Sequence, residues 1–175
     1  MAVCLLSRVP RPDDEHDFCA ILFDEMLARE LMKTHVVKTT ATATLSEAVD
    51  LMDIYQVDSL PVVDEQSRLC GMIAEEDVAS LVANHFAITS TRTAGVTITA
   101  SEATAIAELA VAHVMQTGVL STCEDEDISS LWRSIFANNY TRIPVLTSDG
   151  LVIGTLNRID LVQSLFEKRI EGPAE

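Results

Sequence analysis

The chain has 175 residues, 48% of them hydrophobic and 5% aromatic, a length that suits one compact domain or two small ones sharing a core and excludes a large multidomain enzyme. Lys and Arg number 12 against 27 Asp and Glu, and the resulting net charge of −15 repels phosphate backbones and anionic lipid, so neither nucleic acid nor a membrane is an expected partner. No apolar run approaches the ~20 residues that span a bilayer, and the opening MAVCLLSRVPRPDDEHDF has no basic stretch ahead of a sustained apolar one, so a cytoplasmic protein is expected.

Residues 1–23 read as an N-terminal extension: Pro10, Pro12 and the solvated cluster Asp13-Asp14-Glu15 show no convincing period. Asp24–Met32 (DEMLARELM) is helical in pattern. A β-branched run, Val36–Thr39, predicts a strand, after which Leu45, Ala48, Val49 and Met52 fall at helical spacing behind a capping box of Thr44 and Glu47. Leu60–Asp64 predicts a second strand with Pro61 at its beginning, since proline donates nothing to a ladder. A polar turn (Glu65-Gln66-Ser67), a third strand (Leu69–Ile73) and a helix beginning near Asp77 follow. Ala87–Ala100, rich in Thr, Ala and Ser, reads as a loop with one edge strand, and Ser101–Met115 as a helix with Ser101 as N-cap.

Beyond that point the chain repeats itself. Met32, Thr34, Val36, Thr39, Ser46, Pro61, Val62, Gly71 and Asp77 meet identical residues 83 positions later, at Met115, Thr117, Val119, Thr122, Ser129, Pro144, Val145, Gly154 and Asp160. The second copy therefore predicts a strand at Val119–Thr122 and a helix with Asp127 as N-cap and Ile128, Leu131, Trp132 and Ile135 on its apolar stripe. A strand at Ile143–Thr147, a turn at Ser148-Asp149-Gly150, a strand at Val152–Leu156 and a helix near Asp160 complete it. The division is 1–23 extension, 24–86 first repeat with its leading helix, 87–100 linker, 101–170 second repeat with its leading helix, and 171–175 tail. One copy alone leaves an apolar sheet face uncovered and is not expected to be stable.

The four cysteines form no C-x-x-C pair; Cys70 and Cys123 lie in apolar strand-like runs and read as reduced, buried thiols. The histidines show no metal-ligand spacing, so no metal site is expected. With no nucleophile beside a base and no Gly-rich phosphate loop, no catalytic residue is assigned and the protein is not expected to be an enzyme.

The frames M-K-T-x-V-V…L-S-E-A-V-x-L-M…V-x-S-L-P-V-V-D-E…L-x-G-M-I-x-x-x-D-V and M-Q-T-G-V-L…R-I-P-V-L…G-L-V-I-G-T-L-x-R-x-D-L resemble two cystathionine β-synthase (CBS) domains in tandem, a Bateman module, from about Leu27 to Phe166. The resemblance implies an α/β fold of two β-α-β-β-α repeats packed about a pseudo-two-fold axis, and a homodimer. It implies an adenosyl ligand (AMP, ADP, ATP or S-adenosylmethionine) in the cleft between repeats, no required cofactor, and regulation of a protein that the sequence does not name. By that resemblance Asp77 and Asp160 take ribose hydroxyls, with Asn157, Arg158 and Arg142 at ribose or phosphate. The adenine would lie among Val36, Val37, Val57, Ser59 and Leu60, or Val119, Leu120, Tyr140 and Ile143. A carboxylate in a helix's first turn is also an ordinary capping device. The chain departs from the family at Ala74 and Asn157, where Ser or Thr is usual, and Glu75 and Glu76 place negative charge where the second copy has Arg158 and Ile159. The two sites should therefore differ, with at most one holding a phosphorylated ligand well. The alternative is a ligand-free dimerisation scaffold.

Overall fold

The computed structural model describes residues 26–89, 99–128, 131, 134, 135 and 140–170. They fall into two compact units, a middle unit, Val37–Val119, and a terminal unit made of the chain up to Val36 together with the chain from Leu120 onward.

In the middle unit β1 (Thr39–Thr40) leads to a helix, Leu45–Tyr55, then β2 (Ser59–Val63), β3 (Leu69–Ala74), a helix at Glu75–Thr89, a helix at Ala100–Ala107 and a single 3₁₀ turn, Val111–His113. The terminal unit has a one-turn helix at Ala28–Leu31, β4 (Thr122–Cys123), β5 (Arg142–Leu146), β6 (Val152–Asn157) and a helix at Arg158–Ile170. In chain order the helices Ala28–Leu31, Leu45–Tyr55, Glu75–Thr89, Ala100–Ala107 and Arg158–Ile170 are α1 to α5. Each sheet has a central strand flanked by one parallel and one antiparallel neighbour, and the registers Thr39↔Val62 and Val62↔Gly71 recur as Thr122↔Val145 and Val145↔Gly154.

The apolar periodicity becomes two cores. Leu45, Ala48, Met52, Leu60, Val62, Ile73 and Val111 fill the middle unit. Ala28, Ile128, Leu131, Ile135, Ile143, Val145, Leu156 and Leu161 fill the terminal unit. Val49, expected on the apolar stripe of α2, is 41% exposed instead.

The prolines sit differently from the expectation. Pro61 and Pro144 are third of five in the central strands β2 and β5. Met72, opposite Pro61, spends both its N–H and its C=O on Gln116, so Pro61 faces the other edge, where β1 begins only at the partner of Val62. The missing donor therefore meets no ladder. Thr155 and Lys33 create the same situation for Pro144.

Other boundaries move for similar reasons. The strands expected at Val36–Thr39 and Val119–Thr122 contract to β1 and β4, because the central strands offer partners only from Val62 and Val145 on. Helix α3 runs through Thr89 into the expected linker, and α4 is capped by Thr99, with Glu102 completing the box, not by Ser101. The helix expected to reach Met115 stops at Ala107: Leu109, Val111 and Ala112 hydrogen-bond instead to Leu45, Ala43 and Ala41, and these tertiary bonds outweigh alanine's helix preference. Likewise α1 is one turn, after which Lys33 enters an antiparallel bridge with Thr155.

The compact units cut the chain differently from the division into repeats, because each leading segment packs with the repeat it does not precede. Ala28 is fully buried in the terminal core, and Val111, 83 positions later, is fully buried in the middle one. The extension, the tail, the acidic cluster Asp13-Asp14-Glu15, Cys4, Cys19, Ser129, Trp132 and positions 90–98 of the expected linker lie outside the described residues. Among those described, no helix is long and apolar enough to cross a membrane.

Candidate functional site

Strand β3 runs directly into α3, whose first-turn N–H groups have no intrahelical acceptors. Asp77, the third residue of that helix, reaches back: its Oδ2 accepts the Ala74 N–H at 2.9 Å. Its Oδ1 accepts the side-chain amide of Gln116 at 2.6 Å. This is half of a capping box, because Ala74 has no side-chain oxygen to return the bond. In the terminal unit Asp160 holds the same place in α5. Its Oδ2 accepts Asn157 Nδ2 at 2.8 Å, and its Oδ1 pairs with the Lys33 ammonium at 3.1 Å. Asp160 is 18% exposed and Lys33 58%.

The two partners, Lys33 and Gln116, are 83 positions apart and arrive in the same way. Lys33 exchanges two backbone hydrogen bonds with Thr155, at 2.9 and 3.0 Å, and Gln116 exchanges two with Met72, at 2.8 and 3.0 Å. Each edge pairing carries a side chain onto the neighbouring aspartate. Sequence reasoning missed both residues. The constant offset aligns them, but nothing local marks a polar residue after a methionine as the partner of a carboxylate far along the chain.

The other expected site residues divide clearly. Arg142 lies opposite Asn157 in the β5–β6 ladder, and the Arg158 N–H bonds the Thr141 carbonyl at 3.0 Å, so Arg142, Asn157, Arg158 and Asp160 share one corner of the terminal unit. Ser59 lies opposite Ala74 at the matching corner of the middle unit, buried, its hydroxyl on Asp58 Oδ1 at 3.1 Å. Leu60 and Ile143 are buried in the two cores. Val37 and Val57 pack on the middle core, and Leu120 and Tyr140 on the terminal one. Val36 and Val119 are half-buried. Asp77 and Asp160 themselves belong to different units.

The Asn157 side-chain oxygen is buried and accepts no hydrogen bond among the described residues. A shielded acceptor left unmatched costs roughly 1–3 kcal/mol, and a hydroxyl donor placed there removes that cost. Elsewhere in the middle unit an open groove of about 620 Å³ runs past Lys38, Thr39, Thr40, Glu47 and Ile54 and includes none of the expected site residues. Among the described residues no group of three or more His, Cys, Asp or Glu could hold a metal ion. Cys70, expected to be buried, is exposed in β3; partial desolvation and the Asp64 carboxylate push its thiol up, which keeps it in the unreactive protonated form.

The CBS domain family model matches residues 28–84 and 111–167, more than half of the chain. The chain is 24% identical over 136 residues to an inosine-5'-monophosphate dehydrogenase of Methanocaldococcus jannaschii, covering 78% of this chain and 23% of that protein. It is 24% identical over 147 residues to the chloroplastic CBS domain-containing protein CBSX1 of Arabidopsis thaliana, covering 79% and 61%. The chain thus spans less than two thirds of each of these relatives. Among solved structures, CBSX2 in complex with AMP superposes with a TM-score of 0.64 at 19% identity, covering 82% of this chain and 98% of that one. The CBS domain pair of protein MJ0100, in complex with 5'-methylthioadenosine and S-adenosyl-L-methionine, gives the same TM-score, identity and coverage. At that identity these likenesses establish the fold.

Proposed function

The chain belongs to the CBS domain family, with two copies in tandem, and from that premise we propose that it is a regulatory module that binds an adenosyl compound through Asp160, Asp77 or both, and not an enzyme. The observation that carries the reading is the recurrence of a carboxylate in the first turn of α3 and of α5, at the mouth of an antiparallel strand pair. A carboxylate so fixed accepts both hydroxyls of a ribose, and charge-assisted bonds of this kind contribute roughly 1.5–3 kcal/mol each. The adenosyl complexes of two similar structures support this chemistry. Signalling follows by population shift: a ligand that prefers one conformation moves the equilibrium by its differential affinity.

Melting the purified chain against AMP, ADP, ATP and S-adenosylmethionine tests the proposal. Ligand at about 100 times its dissociation constant adds roughly 2.7 kcal/mol of stability. The Asp160→Ala variant should melt cooperatively and lose that shift; an undiminished shift refutes the ribose role of Asp160. The second reading, a ligand-free scaffold, draws on the first copy, where both Asp77 oxygens are engaged and Ala74 offers no side-chain bond. It predicts no shift with any compound. Self-association belongs to both readings: Ile159 and Phe166, seven residues apart on one face of α5, are 66% and 62% exposed. Sedimentation should give a dimer for the native chain and a weaker one for Phe166→Glu.

A further inference from the structure

We propose, resting on the adenosyl reading above, that Lys33 sets the charge of the ligand at Asp160, so that this position takes a phosphorylated adenosyl compound while the equivalent position at Asp77 rejects one. The two corners have the same backbone and opposite electrostatics. At Asp160 stand Lys33 on the carboxylate, Arg142 across the ladder from Asn157, and Arg158 as the first residue of α5. Those positions are filled at Asp77 by Gln116, Ser59 and Glu75. Glu76 follows in α3, and Asp58 bonds the Glu75 N–H through its carbonyl at 2.9 Å. Among the described residues, these positions give the Asp160 corner three cations, and give the Asp77 corner none and three further carboxylates, Asp58, Glu75 and Glu76. A phosphate is attracted to the first corner and repelled from the second.

Lys33 is built to change partners. Its backbone is fixed by two hydrogen bonds to Thr155, whereas its ammonium is more than half exposed and meets Asp160 at 3.1 Å. With its lysine end in solvent, such a pair is weakened by water and gives way to a competitor. When a ribose diol takes the Asp160 oxygens, the released ammonium swings to the ligand's phosphate without the segment leaving the sheet edge. The buried oxygen of Asn157 is at hand to accept from a hydroxyl. Gln116 is pinned by Met72 in the same way but carries no charge to transfer.

Isothermal titration of the full chain with AMP, adenosine and S-adenosylmethionine tests this, in the native protein and in Lys33→Gln, which installs the residue of the other repeat. The native chain should bind AMP more tightly than adenosine. The variant should lose roughly tenfold in AMP affinity, with adenosine unchanged or tighter. A lysine that merely occupies Asp160 raises both affinities together when removed, and one that only secures the leading segment lowers both; either result, or an unchanged AMP affinity, overturns the proposal. A native chain that prefers adenosine or S-adenosylmethionine to AMP overturns it while leaving the adenosyl reading intact. A native chain that binds none of the three overturns both.

Discussion

A methyl group added at Gly71 would stand 2.4 Å from the Gln116 carbonyl oxygen, and one added at the equivalent Gly154 would stand 2.6 Å from the Met32 sulfur. The two clashes differ in kind. The carbonyl is held by the Met72 N–H at 3.0 Å and moves only with the edge pairing, whereas the methionine sulfur is the end of a flexible side chain. Overpacking costs about 1–3 kcal/mol, so Gly71→Ala should lie at the upper end, about 3 kcal/mol, and Gly154→Ala near 1. Urea midpoints of the two variants check the order, and equal losses would show that the carbonyl yields after all. At this scale the sequence pointed to one side of each candidate site. Asp77 and Asp160 stood out because identical residues recur at a fixed spacing. Lys33 and Gln116 did not, since their role exists only once an edge pairing brings distant segments side by side.

Among the elements, the start of α2 was the most legible. Thr44 and Glu47 cap α2 reciprocally, at 3.2 and 2.8 Å, as their spacing announces. Thr44→Ala should cost about 1 kcal/mol in chemical denaturation. Thr99 and Glu102 cap α4 in the same way, and the Thr99 N–H, then its hydroxyl, hold the Glu102 carboxyl below its ordinary range, with nearby His85 adding to the effect. A lowered carboxyl contributes stability above its unfolded value and loses it as pH falls through its folded value. Urea midpoints followed into acid should therefore decline less in Glu102→Gln than in the native chain across that window. Helix ends were less legible, because Ala107 and Leu31 are followed by residues with adequate helix preference whose backbone groups find better partners in another segment.

Across the whole molecule, repeat and unit are not the same thing. The family model and the internal identity both follow the sequence, yet the pairings Lys33↔Thr155 and Met72↔Gln116 assign each leading segment to the unit built on the other repeat. A fragment of residues 37–119 keeps the Met72–Gln116 edge and the buried Val111, whereas one of residues 24–86 loses both. The first should show the higher melting temperature by circular dichroism; a fragment 24–86 of equal stability would make the edge segment dispensable. The arrangement also orders events on the ribosome. Residues 26–33 are made early, but Thr155 and Asp160, their partners, emerge more than a hundred residues later, at a synthesis rate of about 5–20 residues per second. The centre of this polypeptide can complete its own sheet while its earliest described helix is still waiting for a place to dock, so nascent chains stalled before β6 carry an unclaimed Ala28 and Met32, and with them a surface for chaperones to recognise.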